Sequence, residues 1–425
     1  MKRYEEYKNT GIGWLPKLPS HWKLEQLRKY IRLVSKKGYP EKQLLSVTRE
    51  LGVIIRDTES KEENHNFIPD DLSGYKYVRE GQFVINKMKS WQGSYGVSAY
   101  EGIVSPAYYV CDLDFPNKDF FGWAIRSRNY VSFFAQYSKG IRVGQWDLSP
   151  VALKSIPFFE PPLAEQEKIV RFLESKTLCI DAYVAERERE LQLLNELKES
   201  EIANIITRGL NPDVKMKSYN SLIASAYPEH WELKRNKSFM SLTGYKVGNN
   251  ANQYTLLSLT TKGVIVRDIE SGKGKFPKEF DDYQVVKKDE LVFCLFDIDE
   301  TPRTVGLVNT EGMITGAYTA LKVNREYAIP EYIYYYYLCV DNIKALKPYY
   351  SGLRKTVRAD KFLQLYMPLP PIDEQCAIVS YIEDKCNKIN SLITELEGEI
   401  EYLKEYKQKL IADCVTGQIN VQSEI

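Results

Sequence analysis

The ten residues Pro161–Val170 read PPLAEQEKIV, and a near-copy, PPIDEQCAIV, occupies Pro370–Val379. The two copies start 370 − 161 = 209 residues apart. In each copy a proline pair ends the preceding segment and acidic side chains follow. This favours a helix start, because carboxylates stabilise the positive N-terminal end of a helix. One copy would be an ordinary helix signal, whereas two copies at this distance predict that the whole chain is a repeat.

Further short matches recur in the same order at nearly the same distance. HWKL at 21–24 matches HWEL at 230–233, LLSVT at 44–48 matches LLSLT at 256–260, and GVIIRD at 52–57 matches GVIVRD at 263–268. The offsets of 209, 212 and 211 residues drift only as small loop insertions would cause. The sequence therefore predicts two equivalent halves.

Each half is predicted to contain a sheet-rich domain followed by one long helix. β-Branched and aromatic runs such as QFVIN and AYYVCD, separated by Gly, Asp and Asn, are typical of strands in a mixed sheet. A helix is predicted at 120–137 in the first half and at 331–346 in the second. The second of these is rich in tyrosine, which suits either a base-stacking platform or packing on the sheet. The predicted boundaries are domain one at 1–160, spacer helix one at 161–212, domain two at 213–369 and spacer helix two at 370–425.

The long helices carry an apolar stripe of coiled-coil spacing. Steps of seven residues give an apolar series in each helix, namely Leu173, Ile180 and Leu194 in the first, and Ile382, Ile389, Leu396, Leu403 and Leu410 in the second. The first series is interrupted by Arg187 and Glu201. Because such a stripe needs a partner in water, we expect an α+β protein whose two long helices pair as an antiparallel coiled coil with pseudo-two-fold symmetry.

Composition fits an ordinary intracellular protein. The chain is 44% hydrophobic and 27% charged, has no apolar run long enough to cross a bilayer, and starts without a signal-peptide pattern. None of its seven cysteines forms a C-x-x-C pair, which indicates reduced thiols and predicts a cytoplasmic location. The charge distribution is uneven. Residues 22–160 and 231–369 each hold 20 Lys+Arg against 16 Asp+Glu, and the segments that follow them are acidic. Chance unevenness of a few charges would give the same pattern.

The sequence shows no pattern typical of a catalytic site. It lacks a phosphate-binding G-x-x-x-x-G-K-[ST] loop, and Glu160-Pro161-Pro162-Leu163 is not the Asn/Asp-Pro-Pro-aromatic motif of an adenine methyltransferase. Asp213, Glu232 and Lys234 would be the acids and lysine of a metal nuclease, but the first repeat has Lys23 where the second has Glu232. His21 and His230 match each other in the repeat, which favours packing or capping groups over catalytic bases. We therefore predict a binding protein without cofactor or metal.

These features resemble the specificity subunit of type I restriction–modification systems over almost the whole chain. The resemblance is carried by the Pro-x-His-Trp entries at 19–22 and 228–231, by the two PP-[LI]-x-EQ helix starts, and by INKMKSWQGS at 85–94 and SGLRKTVRADKF at 351–362. It implies a non-catalytic subunit with two target recognition domains, each reading one half of a split double-stranded DNA sequence. The paired helices would set the gap between the halves and dock two methyltransferase subunits. Those partners would bring S-adenosylmethionine, and a motor-nuclease subunit would bring ATP and Mg²⁺.

Within that resemblance, a set of polar and basic side chains is predicted to contact DNA. Lysine and arginine suit phosphate or guanine, and glutamine suits adenine. The predicted residues are Lys87, Lys89, Trp91, Gln92 and Arg142 in the first half, and Arg303, Thr304, Arg354, Lys355, Arg358 and Lys361 in the second. A solvated turn with Trp91 anchored in the core would explain the first cluster equally well. Two other functions remain open on the sequence, namely a self-contained DNA methyltransferase or nuclease, and a coiled-coil scaffold.

Overall fold

The structure is a computed structural model that describes residues 2–13, 15–58, 68–140, 146–267 and 280–422, with the side chain of Asn249 left aside. The chain divides into two compact units. Unit 1 comprises the described residues of 1–188 and 398–425, and unit 2 comprises those of 189–397. Each long helix therefore begins in one unit and ends in the other.

Unit 1 contains strands and short helices ahead of the long helix α4. Its strands are β1 (Tyr7–Ile12), β2 (Leu15–Pro19), β3 (Lys23–Gln26), β4 (Ile31–Val34), β5 (Leu45–Thr48), β6 (Gly52–Ile55), β7 (Lys76–Val78), β8 (Phe83–Asn86), β9 (Tyr95–Val97), β10 (Gly102–Val104), β11 (Tyr108–Leu113) and β12 (Pro157–Glu160). Its helices are α1 (Lys118–Ile125), α2 (Arg128–Tyr137), α3 (Pro150–Ser155) and the start of α4 (Leu163–Arg208).

Unit 2 repeats this order. Its strands are β13 (Met216–Ser218), β14 (Ala226–Pro228), β15 (Glu232–Arg235), β16 (Met240–Leu242), β17 (Tyr245–Lys246), β18 (Leu257–Thr260), β19 (Gly263–Val266), β20 (Gln284–Val286), β21 (Leu291–Phe293), β22 (Val305–Leu307), β23 (Gly312–Ile314), β24 (Thr319–Val323) and β25 (Tyr366–Leu369). Its helices are α5 (Pro330–Asn342), α6 (Ala359–Gln364) and the start of α7 (Ile372–Val415).

The central sheet has the same topology in both units. Its strand order is β4-β11-β8-β9 in unit 1 and β16-β24-β21-β22 in unit 2, with all neighbours antiparallel. A two-stranded ribbon beside it joins β3 to β12 in one unit and β15 to β25 in the other. The repeat in the sequence is thus a repeat of structure, and the predicted α+β fold is confirmed.

The helical segment at 120–137 differs from the prediction of one helix. It is broken into α1 and α2 at Ser127, whose extended backbone has ψ of 151°. The preceding Arg126 donates hydrogen bonds to the carbonyls of Tyr95, Arg49 and Glu50, which fixes the break against the sheet. In unit 2 the tyrosine-rich helix α5 buries Tyr332, Tyr336 and Tyr337 in the core, so those rings pack rather than stack on bases.

The two long helices run antiparallel within each unit. In unit 1, Lys407 pairs with Asp181 at 2.6 Å and Lys404 with Glu188 at 2.8 Å, so residue numbers rise along one helix as they fall along the other. In unit 2, the Lys198 ammonium donates to the Asn390 side chain at 2.7 Å. Each core accordingly contains the start of one helix and the end of the other, Ile169–Leu173 with Leu410–Val415 in unit 1 and Ile202–Ile206 with Ile378–Cys386 in unit 2.

The predicted stripe residues lie along this pairing at different depths. Leu173, Ile382, Ile389, Leu396 and Leu410 are buried, whereas Ile180, Leu194 and Leu403 are half-buried. The interruption at Arg187 is accommodated because its guanidinium lies 4.8 Å from the centre of the Tyr183 ring.

The repeated ten-residue stretch fixes each long helix to its domain through a partly buried hydrogen-bond network. In unit 1 the Glu165 carboxylate accepts hydrogen bonds from Trp22 Nε1 at 3.0 Å and the Tyr4 hydroxyl at 2.9 Å, and lies 2.6 Å from His21 Nε2. Gln166, which is fully buried, donates to the Pro161 carbonyl at 2.7 Å. The stretch therefore starts a helix and also holds the His-Trp entry of its own domain. We call the contacts of this glutamate with the tryptophan and histidine the clamp.

The same network recurs in unit 2. Glu374 accepts from Trp231 Nε1 at 3.1 Å and lies 2.7 Å from His230 Nε2, while Gln375 donates to the Pro370 carbonyl at 2.8 Å. The end of the opposite long helix closes each clamp with a left-handed glycine. Gly417 (φ 68°) packs on Trp22 in unit 1, and Gly209 (φ 74°) packs on Trp231 in unit 2.

Candidate nucleic-acid interface

The candidate interface of each unit lies where the inner strand of the central sheet ends. In unit 1, β8 leads into residues 87–94 before β9 returns, and in unit 2, β21 leads into residues 294–304 before β22 returns. A second segment folds onto each of these loops. We call residues 87–92 with 139–140 and 146–147 the unit 1 loop surface, and residues 294–304 with 347–361 the unit 2 loop surface.

The unit 1 loop surface brings together four of the predicted residues. Lys89 is exposed, and Lys87 is 31% exposed and pairs with Asp147 at 3.2 Å. Trp91 and Gln92 are half-buried in a single turn of 3-10 helix at Ser90–Gln92. Arg142 lies outside the described residues.

Trp91 is held by contacts that no pattern in the sequence indicates. Its Nε1 donates to the Met88 carbonyl at 3.1 Å, and its ring lies 5.1 Å from that of Trp146. The second segment is tied to the first by the hydrogen bond from Leu148 N to the Lys87 carbonyl at 3.2 Å. The tryptophan thus positions the loop, and Lys87, Lys89, Trp91 and Gln92 all stay predicted DNA contacts on it.

The unit 2 loop surface carries exposed cations on a hairpin. Ser351 and Thr356 exchange backbone hydrogen bonds of 3.0 and 3.1 Å, and Arg354 within the hairpin is 72% exposed. Arg358 is 70% exposed, and Lys361 on α6 is exposed as well. All three cations face solvent, as contact with DNA phosphates requires.

Acidic side chains lie among these cations. Arg354 is 3.5 Å from Asp297, and Lys355 is 3.1 Å from Asp299 and 3.2 Å from Glu300. The hydrogen bond from Lys355 is the main cause that lowers the pKa of the Asp299 carboxyl, and its hydrogen bonds to Asp299 and Glu300 raise the pKa of Lys355. Both shifts favour the charged forms of Asp299 and Lys355. The acidic run FDIDE at 296–300 is the signal in the sequence from which this cluster could have been predicted.

Arg303 and Thr304 are placed differently from the other predicted residues. Thr304 is 2% exposed and its backbone N–H donates to the Asp341 carboxylate at 3.0 Å. The same buried carboxylate pairs with Arg303 at 3.2 Å and with Lys344 at 2.7 Å. Both residues therefore belong to an ion network around the buried Asp341 that joins the loop to α5, and neither is a proposed DNA contact.

The buried network gives a stability prediction. Asp341→Ala would leave the cations of Arg303 and Lys344, which are 17% and 23% exposed, without their shared carboxylate. We expect unit 2 to lose about 3 kcal/mol of stability, because removing one partner of a buried pair leaves charge uncompensated. The matched control is Asp360→Ala, an exposed carboxylate paired with exposed Arg358, which should change stability by less than about 0.5 kcal/mol. Equal midpoints for the two variants in urea denaturation would contradict the assignment.

The residues of the metal-nuclease alternative do not form a site. Glu232 is 69% exposed and pairs with Lys234 at 2.8 Å, and Asp213 lies in the turn that follows α4. Within the residues that the structure describes, no group of three or more His, Cys, Asp and Glu side chains is placed to hold a metal ion. No described helix is long and apolar enough to span a bilayer.

Similarity to known proteins extends over the whole chain. No protein-family model matches it. It is 22% identical, over 99% of its length and 98% of the relative's, to a protein provisionally named type I restriction enzyme MjaX specificity subunit, from Methanocaldococcus jannaschii. The chain is a homologue of type I restriction specificity subunits. The chain is also 23% identical to the type I restriction enzyme MjaVIII specificity subunit of Methanocaldococcus jannaschii, over 69% of its own length and 68% of that relative's.

The fold of this chain matches a solved structure as well. A chain from work on complex assembly and conformational transition of the type I R-M system superposes with a TM-score of 0.68 at 14% identity. The match covers 95% of this chain and all of the other. It establishes that the arrangement of two similar halves with long helices is a fold already known in that system.

Proposed function

We propose that this chain is the DNA sequence-recognition subunit of a type I restriction–modification complex. The observation that carries the proposal is the structural repeat: two units with one sheet topology, each with a loop surface at the same strand end and each joined to a long helix by the same glutamate–tryptophan network. Two equivalent reading surfaces in one chain suit a target written in two halves. The similarity over the full length to one protein named a specificity subunit supports the same role.

The two loop surfaces are proposed to read one half-site each. Exposed lysines and arginines supply affinity through phosphates, and the fewer polar side chains that reach base edges supply specificity. The proposed contacts are Lys87, Lys89, Trp91, Gln92 and Arg142 in unit 1, and Arg354, Lys355, Arg358 and Lys361 in unit 2.

The long helices are proposed to join the two reading units and to dock two methyltransferase subunits. Chemistry then belongs to the partners, which bring S-adenosylmethionine for methyl transfer, and a motor-nuclease subunit brings ATP and Mg²⁺ for cleavage. This chain contributes binding and positioning and needs no cofactor of its own. We propose the cytoplasm as its location, where partners and DNA are accessible.

The proposal is tested by co-expressing the full chain with its methyltransferase subunit in a host that lacks DNA methylation. Sequencing of modified bases should show one bipartite methylated motif, with two short half-sites and a fixed gap. Neither protein alone should methylate it. Methyl transfer or Mg²⁺-dependent cleavage by the purified chain alone would contradict the proposal and favour a self-contained enzyme.

A pair of variants assigns the half-sites in the same experiment. Gln92→Ala in unit 1 should relax the motif at one half only, because a missing base contact costs about 1–3 kcal/mol of discrimination at its own position. Arg358→Ala in unit 2 should weaken methylation without changing the motif, because a phosphate contact carries no sequence information. A motif that changes in both halves with Gln92→Ala would contradict the assignment of one unit to one half.

A further inference from the structure

The unit 2 loop surface ends in an apolar side chain that the fold leaves entirely in water. Leu353 is 104% exposed, the highest value among the large apolar residues of the part of the chain that the structure describes. Single exposed apolar residues are common and need no explanation by themselves. Leu353 differs from the other exposed apolar residues in its backbone, because the hairpin around it is held in one conformation by hydrogen bonds.

The hairpin tip is anchored to the neighbouring loop on the C-terminal side of Leu353. The Arg354 carbonyl accepts a hydrogen bond from Asp297 N at 2.8 Å, and Val357 N donates to the Leu295 carbonyl at 2.8 Å. Gly352 has φ of 75° and Lys355 has φ of 43°, a left-handed conformation that side-chain-bearing residues rarely adopt. Such conformations persist only where the surroundings enforce them, here through the backbone pairing of Ser351 with Thr356 and the hydrogen bond from Lys355 N to the Gly352 carbonyl at 3.1 Å.

The groups next to Leu353 are charged rather than apolar. Arg354 follows it, 72% exposed and with its guanidinium 4.9 Å from the centre of the Phe296 ring, and Arg358 and Lys361 lie further along the same surface. A protein-docking anchor is normally surrounded by other apolar groups that exclude water. An apolar point flanked by cations instead matches DNA, in which stacked bases lie between two rows of phosphates.

We propose that Leu353 is a wedge that enters the base stack of the half-site read by unit 2, while the neighbouring cations hold the flanking phosphates. Leucine is among the side chains that proteins insert between base steps, and partial unstacking kinks the duplex. Unstacking at this step also lowers the cost of turning out a base for a methyltransferase partner. The inference rests on the proposed function and adds a residue to it. The sequence counterpart in the first repeat, Ile141 before Arg142, lies outside the described residues.

The test uses the full chain in complex with its methyltransferase subunits and duplexes of the methylated motif. 2-Aminopurine is placed at successive positions through both halves, because its fluorescence rises when its neighbours unstack. Turning out of the target bases by the two methyltransferase subunits brightens the probe in both halves. The wild-type complex should in addition brighten it at one further step, in the half read by unit 2. Leu353→Ala should abolish that signal and weaken binding of the target about tenfold, and Leu353→Met should retain both. Leu242→Ala, an exposed leucine on strand β16 of unit 2, serves as the matched control and should change neither.

Three results would overturn the wedge. Unchanged fluorescence and affinity in Leu353→Ala would do so directly. A thymine-to-uracil replacement in the target could weaken binding as much as Leu353→Ala does. If the wild-type complex then also showed no additional brightened step, Leu353 would be assigned to contact with a thymine methyl group. Loss of the methyltransferase subunit from the Leu353→Ala complex in size-exclusion chromatography would assign it to protein docking. In each case the wild-type complex still methylates a bipartite motif, whereas failure of that methylation would count against the proposed function itself.

Discussion

Trp22→Ala is expected to destabilise unit 1 by about 3–5 kcal/mol, the usual cost of deleting a fully buried large aromatic side chain. Trp22 is fully buried, its ring lies 6.4 Å from that of Phe159, and its Nε1 donates to Glu165. The truncation therefore opens a cavity and also removes a donor from a carboxylate that the clamp holds. Because Glu165 stands at the start of the long helix α4, we expect the loss to extend from the domain into the first turns of that helix.

Hydrogen exchange measured by mass spectrometry separates the two units, which a single unfolding midpoint of a multi-domain chain does not. Peptides from β3, β12 and the start of α4 should lose protection, while peptides from β15 and β25 of unit 2 keep theirs. Trp22→Phe is the intermediate variant: it keeps most of the buried area but loses the hydrogen bond to Glu165 and part of the ring volume, and it should cost less than Trp22→Ala, about 1–3 kcal/mol. Equal protection in Trp22→Ala and the wild type would show that the clamp does not hold unit 1 together.

The repeat, the fold class and the pairing of the helices were accessible from the sequence because each rests on a pattern that short-range chemistry dictates. A seven-residue apolar step needs a partner helix, and alternating β-branched runs need a sheet. The clamp was accessible in principle as well. Trp22 and Glu165 are 143 residues apart, and so are Trp231 and Glu374. Two motifs that recur at the same separation indicate a contact between them. From the sequence, His21 and His230 are predicted as packing or capping groups, but their partner is not named.

The contents of the loop surfaces were less accessible, because residue type alone does not show which charges are already paired. Arg303 and Lys89 look equally suited to phosphate in the sequence, yet Arg303 serves the buried Asp341 and Lys89 is exposed. The break between α1 and α2 has the same origin. Arg126 leaves the helical path to donate to three carbonyls that lie 31 to 77 residues away in the chain. Such tertiary contacts override local propensity and appear in no local pattern.

The clustering of acids and cations on the unit 2 loop surface changes the meaning of the charge distribution. Residues 231–369 carry four more cations than carboxylates, but cations on this surface are already paired with carboxylates, as in Arg354–Asp297 and Lys355–Glu300. DNA phosphates must compete with these carboxylates, whose pairs are exposed and individually worth little. This favours discrimination over tight non-specific binding, because a wrong duplex must displace the same carboxylates without gaining the base contacts of the right one.

One glycine inside helix α7 and one just after its end should change stability in opposite directions when replaced by alanine. Gly417 has φ of 68°, and a Cβ built on it would lie 2.5 Å from Pro19 Cγ and 3.1 Å from Trp22 Cη2. Gly417→Ala therefore combines a left-handed alanine, at about 1–2 kcal/mol, with overpacking against the clamp, at about 1–3 kcal/mol. Gly398 lies in the helix interior with no atom within 4 Å of such a Cβ. Gly398→Ala should stabilise by about 0.5–1 kcal/mol, because alanine loses less backbone freedom on folding.

The pair tests whether the end of one long helix truly closes the clamp at the start of the other. Thermal unfolding of both variants should move the midpoint down for Gly417→Ala and up for Gly398→Ala, and hydrogen exchange should place the first loss at β2 and the start of α4. Gly209→Ala repeats the test in unit 2, where Gly209 is the counterpart of Gly417. Its Cβ would lie 2.8 Å from Glu374 Oε1 and 3.3 Å from Trp231 Cζ2, so it should also lower the midpoint. A shift of the same sign at Gly417 and Gly398 would mean that helix propensity governs both sites and that the contact with Trp22 is not made. Opposite shifts, matched by a loss at Gly209, would tie each domain to both long helices through one tryptophan.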